Sequence, residues 1–132
     1  MTDDAIAGTE LPSLLKPYQA SVQEIVGEAR RIILAILPGA TEVVDSKARL
    51  VGYGYGTGYR DIICTLILSK GGVKLGVVGG ASLPDPHHLM EGMGKVHRHV
   101  PLRTSEDLRR AGMKPLLQAA LSAWRQRTSG GA

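Results

Sequence analysis

Arg60–Val78, RDIICTLILSKGGVKLGVV, is the stretch whose reading decides the fold. Arg60–Ser69 is rich in β-branched and aliphatic residues, Lys70-Gly71-Gly72 has the chemistry of a turn, and Val73–Val78 returns in the same pattern. Two such runs joined by a glycine turn predict a β-hairpin. Just upstream, Gly52–Tyr59 (GYGYGTGY) alternates with period two, which puts every glycine on one face and Tyr53, Tyr55, Thr57 and Tyr59 on the other. Thr41–Leu50 reads as an opening strand or strand pair around Val43 and Val44, and Lys95–Leu102 as a last strand. Between them Leu83–Gly94 is a loop with room for a helical turn at His88–Glu91. These connections are too short for parallel crossovers, so the sheet is expected to be antiparallel.

On either side of the strands the period changes. From Ser13 apolar residues recur at three and four (Leu15, Tyr18, Val22, Ile25, Ala29, Ile32 or Ile33, Ile36), the signature of an amphipathic helix. Pro17 suits its first turn, Glu28 and Arg31 can pair across one turn, and Pro38-Gly39 ends it. At the other end Thr104–Asp107 offers an N-cap with acids in the first turn. A short helix Glu106–Ala111 is expected to break at Gly112, and a second to follow with Leu116, Leu117, Ala120, Leu121 and Trp124 on one stripe. The expectation is an α+β domain: an antiparallel sheet with a long N-terminal helix and two C-terminal helices, in two layers. Residues 1–12 and 128–132 read as flexible tails around a single domain, 13–127.

A chain of 132 residues, 43% hydrophobic, fills one core and not two. Its longest aliphatic run, Ile32–Leu37, falls far short of the roughly 18 apolar residues a membrane span needs. MTDDAIAGTE carries no basic-then-apolar leader, so the expected location is the cytoplasm, with no membrane partner. The lone Cys64, in an apolar run, excludes an internal disulfide and a cysteine-based zinc site, and reads as a buried structural thiol. Residues 92–132 hold eight basic and two acidic side chains, a local charge of +6 that allows attraction to phosphates or acidic proteins but is more simply the solvated face of a helix. The cations Arg98, Arg103, Arg109, Arg110, Lys114, Arg125 and Arg127 are scattered without a nucleic-acid reading motif, so nucleic acid is not favoured as the partner.

Candidate ligand-binding groups concentrate in Gly79–Pro101, GGASLPDPHHLMEGMGKVHRHVP, which contains all four histidines. In an extended strand His97 and His99 share a face and lie roughly 6.5–7 Å apart, close enough to converge on one metal ion with Glu91 from the loop. Lys95 and Arg98 can hold an anion at the rim of the rigid Leu83–Pro86 turn, with Asp85 either contributing to the pocket or capping backbone amides. Tyr53 and Tyr55 add either packing or a stacking platform, since the glycine face admits close approach. GYGYGTGY is not a phosphate loop: it lacks G-x-G-x-x-G and is followed by a strand. Ser82, Asp85 and the neighbouring histidines have no G-x-S-x-G elbow, so no catalytic group is assigned.

Leu-Pro-Asp-Pro at Leu83–Pro86, Leu-Met-Glu-Gly-Met-Gly-Lys at Leu89–Lys95, Arg-His-Val at Arg98–Val100 and Ser-Glu-Asp-Leu at Ser105–Leu108 together resemble the hallmark of the YdhG-like family of small bacterial domains. The upstream GYGYGTGYRDIICTLILSKGGVKLG resembles one branch of that family, while the Tyr-Gly-Met-Pro segment of other branches is missing. The resemblance implies a compact domain with an antiparallel sheet flanked by helices. It also implies, through one relative described as a frataxin-like iron chaperone, iron as a possible cargo. The expected function is a non-enzymatic module for a small molecule or protein, monomeric or homodimeric, with a pocket formed by the Gly/Tyr strand, the Leu83–Pro86 turn and the Lys95–His99 strand. The alternative is iron delivery for iron–sulfur cluster or haem assembly.

Overall fold

Leu11, Leu14 and Leu15 are buried on a first short helix, α1 (Leu11–Leu15), in the computed structural model, which describes residues 10–56, 58–70 and 72–130. Pro17 has no amide to extend α1, and Gln19 turns to extended backbone (ψ 156°), so the chain starts a new helix, α2 (Ala20–Ile36). The long N-terminal helix expected from Ser13 is therefore two pieces. Ile25, Val26, Ala29, Arg30 and Ile33 are buried on α2, a stripe at three-and-four spacing, and Gly39 (φ +75°) follows it in the left-handed region that glycine adopts freely. Glu28 pairs with Arg109 rather than with Arg31.

The strands are β1 (Thr41–Asp45), β2 (Leu50–Gly54), β3 (Ile62–Ser69), β4 (Gly72–Val77) and β5 (Arg98–Leu102). They form one antiparallel sheet in the order β1-β2-β3-β4-β5, each strand pairing with the next in sequence. The expected hairpin is β3–β4, in register from Cys64↔Val77 to Ser69↔Gly72. A short 3-10 turn, Ser105–Arg109, and a single α-helix, α3 (Met113–Gly130), complete the chain. Two C-terminal α-helices were the expectation; the first is this 3-10 turn, ended at Gly112 (φ +103°). The Asp107 carboxylate accepts the Arg103 and Thr104 amides at its start.

Alternation along the strands puts Val51, Tyr53, Cys64, Leu66, Leu68, Val73, Leu75, Val77, Val100 and Leu102 on one face, all buried. The helices cover that face, and Leu117, Ala120 and Leu121 of α3 join it in one core. The molecule is thus α+β, with a five-stranded antiparallel sheet and three α-helices among the described residues. Of the expected tails, residues 1–9, 131 and 132 lie outside the described residues, Leu11 is wholly buried in α1, and Thr128–Gly130 belong to α3. Among the described residues no helix is long and apolar enough to cross a membrane.

Candidate functional site

The loop between β4 and β5 and the start of β5 carry most of the expected site, and Asp85, His97 and Arg98 there are bonded to main-chain groups of the same loop. Asp85 accepts the Leu89 amide at Oδ1 and the Met90 amide at Oδ2, both at 2.9 Å, while its carbonyl accepts the His88 amide. These bonds turn the chain so that Leu89 enters the core at 2% exposure. Arg98 donates from Nε to the Gly94 carbonyl (2.6 Å) and from Nη1 to the Gly92 carbonyl (3.0 Å). His97 lies before β5, not in it, and its Nδ1 accepts the Gly79 amide at 3.0 Å. His99 and Glu91 form an isolated bridge through their backbones, which, with Pro101, blunts the outer edge of β5.

Several expectations are corrected here. Among the described residues no three His, Cys, Asp or Glu side chains are grouped to hold a metal ion, so His97, His99 and Glu91 do not form a ligand set. The physical reason is that His97 spends a ring nitrogen on Gly79, and the link between His99 and Glu91 is main chain to main chain. Asp85 and Arg98 are structural staples. Lys95 is exposed and makes no ion pair or hydrogen bond among the described residues, beside Met93 and Val96, which are also exposed.

The tyrosine platform is corrected too. Tyr53 is 0% exposed on the helix-covered face, and its hydroxyl donates to Glu42 Oε2 at 2.7 Å. The same oxygen accepts Arg30 Nε at 2.7 Å, and both members of that ion pair are buried. Burial, and secondarily the Glu42 charge and hydrogen bond, raise the phenol pKa, so Tyr53 stays neutral. The arrangement ties α2, β1 and β2 together inside the core. Tyr55 lies past a bulge at the end of β2. Its hydroxyl donates to the Pro38 carbonyl (2.8 Å), its ring packs on Trp124 (centroids 5.1 Å apart), and partial burial raises its pKa. Thr57 and the Tyr59 side chain lie outside the described residues. On the opposite face the glycines offer no cleft: a Cβ on Gly52 would lie 2.8 Å from Ile62 Cδ1, and one on Gly76 2.4 Å from Thr65 Oγ1. Cys64 is buried, and desolvation pushes its thiol up to about 12, which keeps it protonated and unreactive, as the sequence leads one to expect.

A different site lies at the other end of the sheet. Where the β1–β2 and β3–β4 turns and the exit of β5 meet the start of α2, a groove of about 980 Å³ opens. Its floor is apolar (Ile25, Leu68, Val73, Leu102), and its cations are Arg49, Lys70, Lys74 and Arg103. No Asp or Glu lines it, and none of the four cations has a carboxylate within salt-bridge distance among the described residues. Gln19, Ser21 and Val22 form one wall, at the amino end of α2, where no side chain caps the helix. A positive helix end and unpaired cations add in the same direction, toward an anion.

Arg49 is the best-fixed of the four. Its guanidinium carbon sits 5.0 Å from the Tyr18 ring centroid, and its Nε donates to the Tyr18 hydroxyl at 3.1 Å. Its backbone is left-handed (φ +58°), a conformation that costs a residue with a Cβ about 1–2 kcal/mol. Sequence reasoning reaches Arg103 only as one of several scattered cations and passes over Arg49, Lys70, Lys74 and Tyr18. These residues span more than eighty positions, and only strand order brings them together. No family model, curated protein or solved structure matches the chain.

Proposed function

We propose that this protein is a non-enzymatic binding module that holds an anionic ligand in the groove at the α2 end of its sheet. The observation that supports this reading is a 980 Å³ groove with four cations, no carboxylate in its lining and an uncapped helix start. Arg109, by contrast, is paired with Glu28 and Glu106. No imidazole, thiol or carboxylate lines the groove among the described residues, so Ser21 and Ser69 have no histidine or carboxylate base beside them, while the cations have the means to hold an anion. The Leu83–Leu108 motifs make a YdhG-like domain of the cytoplasm part of the same reading.

Titrating inorganic phosphate into isotopically labelled protein tests it. The amides of Ala20 and Ser21 and of at least one of Arg49, Lys70, Lys74 and Arg103 are expected to shift together and saturate along one binding curve. Shifts confined to Lys95–His99 would move the site back to the histidine loop and end this proposal.

A further inference from the structure

Strand order gives the four cations an arrangement that bears on the shape of the ligand. Arg49 immediately precedes β2, Lys70 follows β3, Lys74 is in β4 and Arg103 follows β5. Each of four adjacent strands therefore contributes one cation, and the set spreads over three strand spacings, about 14 Å. Val73 and Lys74 both line the groove, as do Pro101 and Leu102, so it wraps around the end of the β4–β5 pair instead of lying on one face. A single tetrahedral anion meets one or two of these cations. A longer anion that follows the groove around the strand ends has more of them within its reach.

The spacing also favours dense charge. Neighbouring strands are about 4.8 Å apart, so successive cations match a ligand whose charges follow one another closely. A single-stranded nucleic acid would need aromatic faces on which its bases stack. Tyr18 is the one aromatic residue of the groove, and it is engaged: Arg49 covers its ring and bonds its hydroxyl. Besides the cations and the apolar floor, the lining offers Gln19, Ser21 and Ser69 as polar groups and no further aromatic ring. Arg49 has a further part in this. With Nε committed to Tyr18, its two Nη groups have no partner among the described residues and are held in a fixed position, where a flexible lysine would have to be ordered on binding.

Resting on the proposed anion site, we infer that its ligand is a linear chain of phosphoanhydride-linked phosphates, as in inorganic polyphosphate or a nucleoside triphosphate, anchored at Arg49, with Tyr18 as the positioning residue. Binding of the full chain to orthophosphate, pyrophosphate, tripolyphosphate, a longer inorganic polyphosphate, ATP and a single-stranded oligonucleotide is to be measured by calorimetry at low salt. Affinity is expected to climb with chain length, by about tenfold or more from orthophosphate to tripolyphosphate. Arg49→Gly should lose about tenfold for tripolyphosphate with an unchanged melting temperature, and Arg103→Gln should weaken the longer chain more than pyrophosphate. ATP equal to tripolyphosphate supports an inorganic chain, and ATP well above it supports a nucleoside triphosphate; both keep the inference. Orthophosphate binding as tightly as tripolyphosphate overturns the linear ligand and leaves the anion site standing. Binding of none of the phosphates sinks both. An oligonucleotide that outcompetes polyphosphate of equal charge replaces the inference with nucleic-acid binding, and an Arg49→Gly variant with undiminished affinity removes the anchor.

Discussion

At the end of the sheet where β4 runs into β5, Asp85, Arg98 and His97 are each bonded to main-chain groups of that loop or of its entry turn. At the opposite end Lys70, Lys74 and Arg103 have no carboxylate partner among the described residues, and the one arginine held in place, Arg49, is held by an aromatic ring and a hydroxyl. The same residue types thus do two jobs. A loop without ladder hydrogen bonds must satisfy its amides and carbonyls from side chains, and ligand-capable residues gathered in such a loop are the ones used for that. Exposed cations need only water as a partner, as Lys95 shows at the loop end. What marks the groove is the grouping of four cations around one concave surface with no carboxylate. Density of polar residues along the sequence is therefore a poor guide to a site, and unspent valence in space a better one.

The sharpest test of this contrast uses glycines. At the histidine-loop end, a Cβ on Gly54 would stand 1.8 Å from the Asp61 carbonyl oxygen, backbone against backbone at the β2–β3 bulge. Gly54→Ala is expected to lose about 3 kcal/mol or more in urea unfolding, since neither partner can swing away. At the groove end, Gly72 has nothing within 4 Å of its hypothetical Cβ and only its φ of +128° to object. Gly72→Ala should cost about 1–2 kcal/mol. Equal losses would mean that the loop end is no more tightly built than the groove end.

The core between the two ends supplies a pH signature that neither end should share. Cys64 keeps its proton in the folded chain up to about pH 12, whereas an unfolded thiol releases it near 9.0. Stability is therefore complete below pH 9 and falls as pH rises toward 12, because the unfolded state binds fewer protons there. By pH 11 the loss is roughly 2–3 kcal/mol, and the raised phenol of Tyr53 adds to it in the same direction. Chemical denaturation at pH 8 and pH 11 measures this, and Cys64→Ala should flatten the dependence. An unaltered slope in that variant would place the titrating groups elsewhere.

Next in size is Arg98→Ala. Releasing the Gly92 and Gly94 carbonyls to water should cost about 1–2 kcal/mol and speed amide exchange of Glu91 and His99, with phosphate binding unchanged. Loss of phosphate affinity in this variant would contradict the division of labour between the two ends.

How far the sequence anticipates this molecule depends on the range of the signal. The α2 stripe, the β3–β4 hairpin, the buried thiol and the Thr104–Asp107 start are local patterns, and each is found in the structure. Alternation separates Gly52 and Gly54 from Tyr53, but β2 ends at Gly54 instead of alternating on to Tyr59, and period two does not say which face meets the helices. Tyr53 follows Val51 into the core, while the bulge at Gly54 carries Tyr55 out of register toward Trp124. His97 and His99 show the reverse error: a strand drawn from Lys95 puts them side by side, but β5 begins at Arg98 and the loop claims His97. The groove has no local signature, because strand order alone assembles Arg49, Lys70, Lys74 and Arg103.

The smallest expected change in stability bears most directly on the contrast. Arg49→Gly removes the cation–π contact with Tyr18, worth about 0.5–1 kcal/mol at a partly open site, and loosens the unfolded chain by a similar amount. It also relieves a left-handed backbone that costs a side-chain-bearing residue about 1–2 kcal/mol. These contributions, together with the bond from Arg49 Nε to the Tyr18 hydroxyl, oppose one another, so the net change in unfolding free energy should stay within about 1 kcal/mol of zero. A near-zero effect is what separates a side chain kept for a ligand from one kept for the fold. Should Arg49→Gly destabilise the protein as much as Arg98→Ala does, Arg49 is another staple, and the two ends of the sheet are alike.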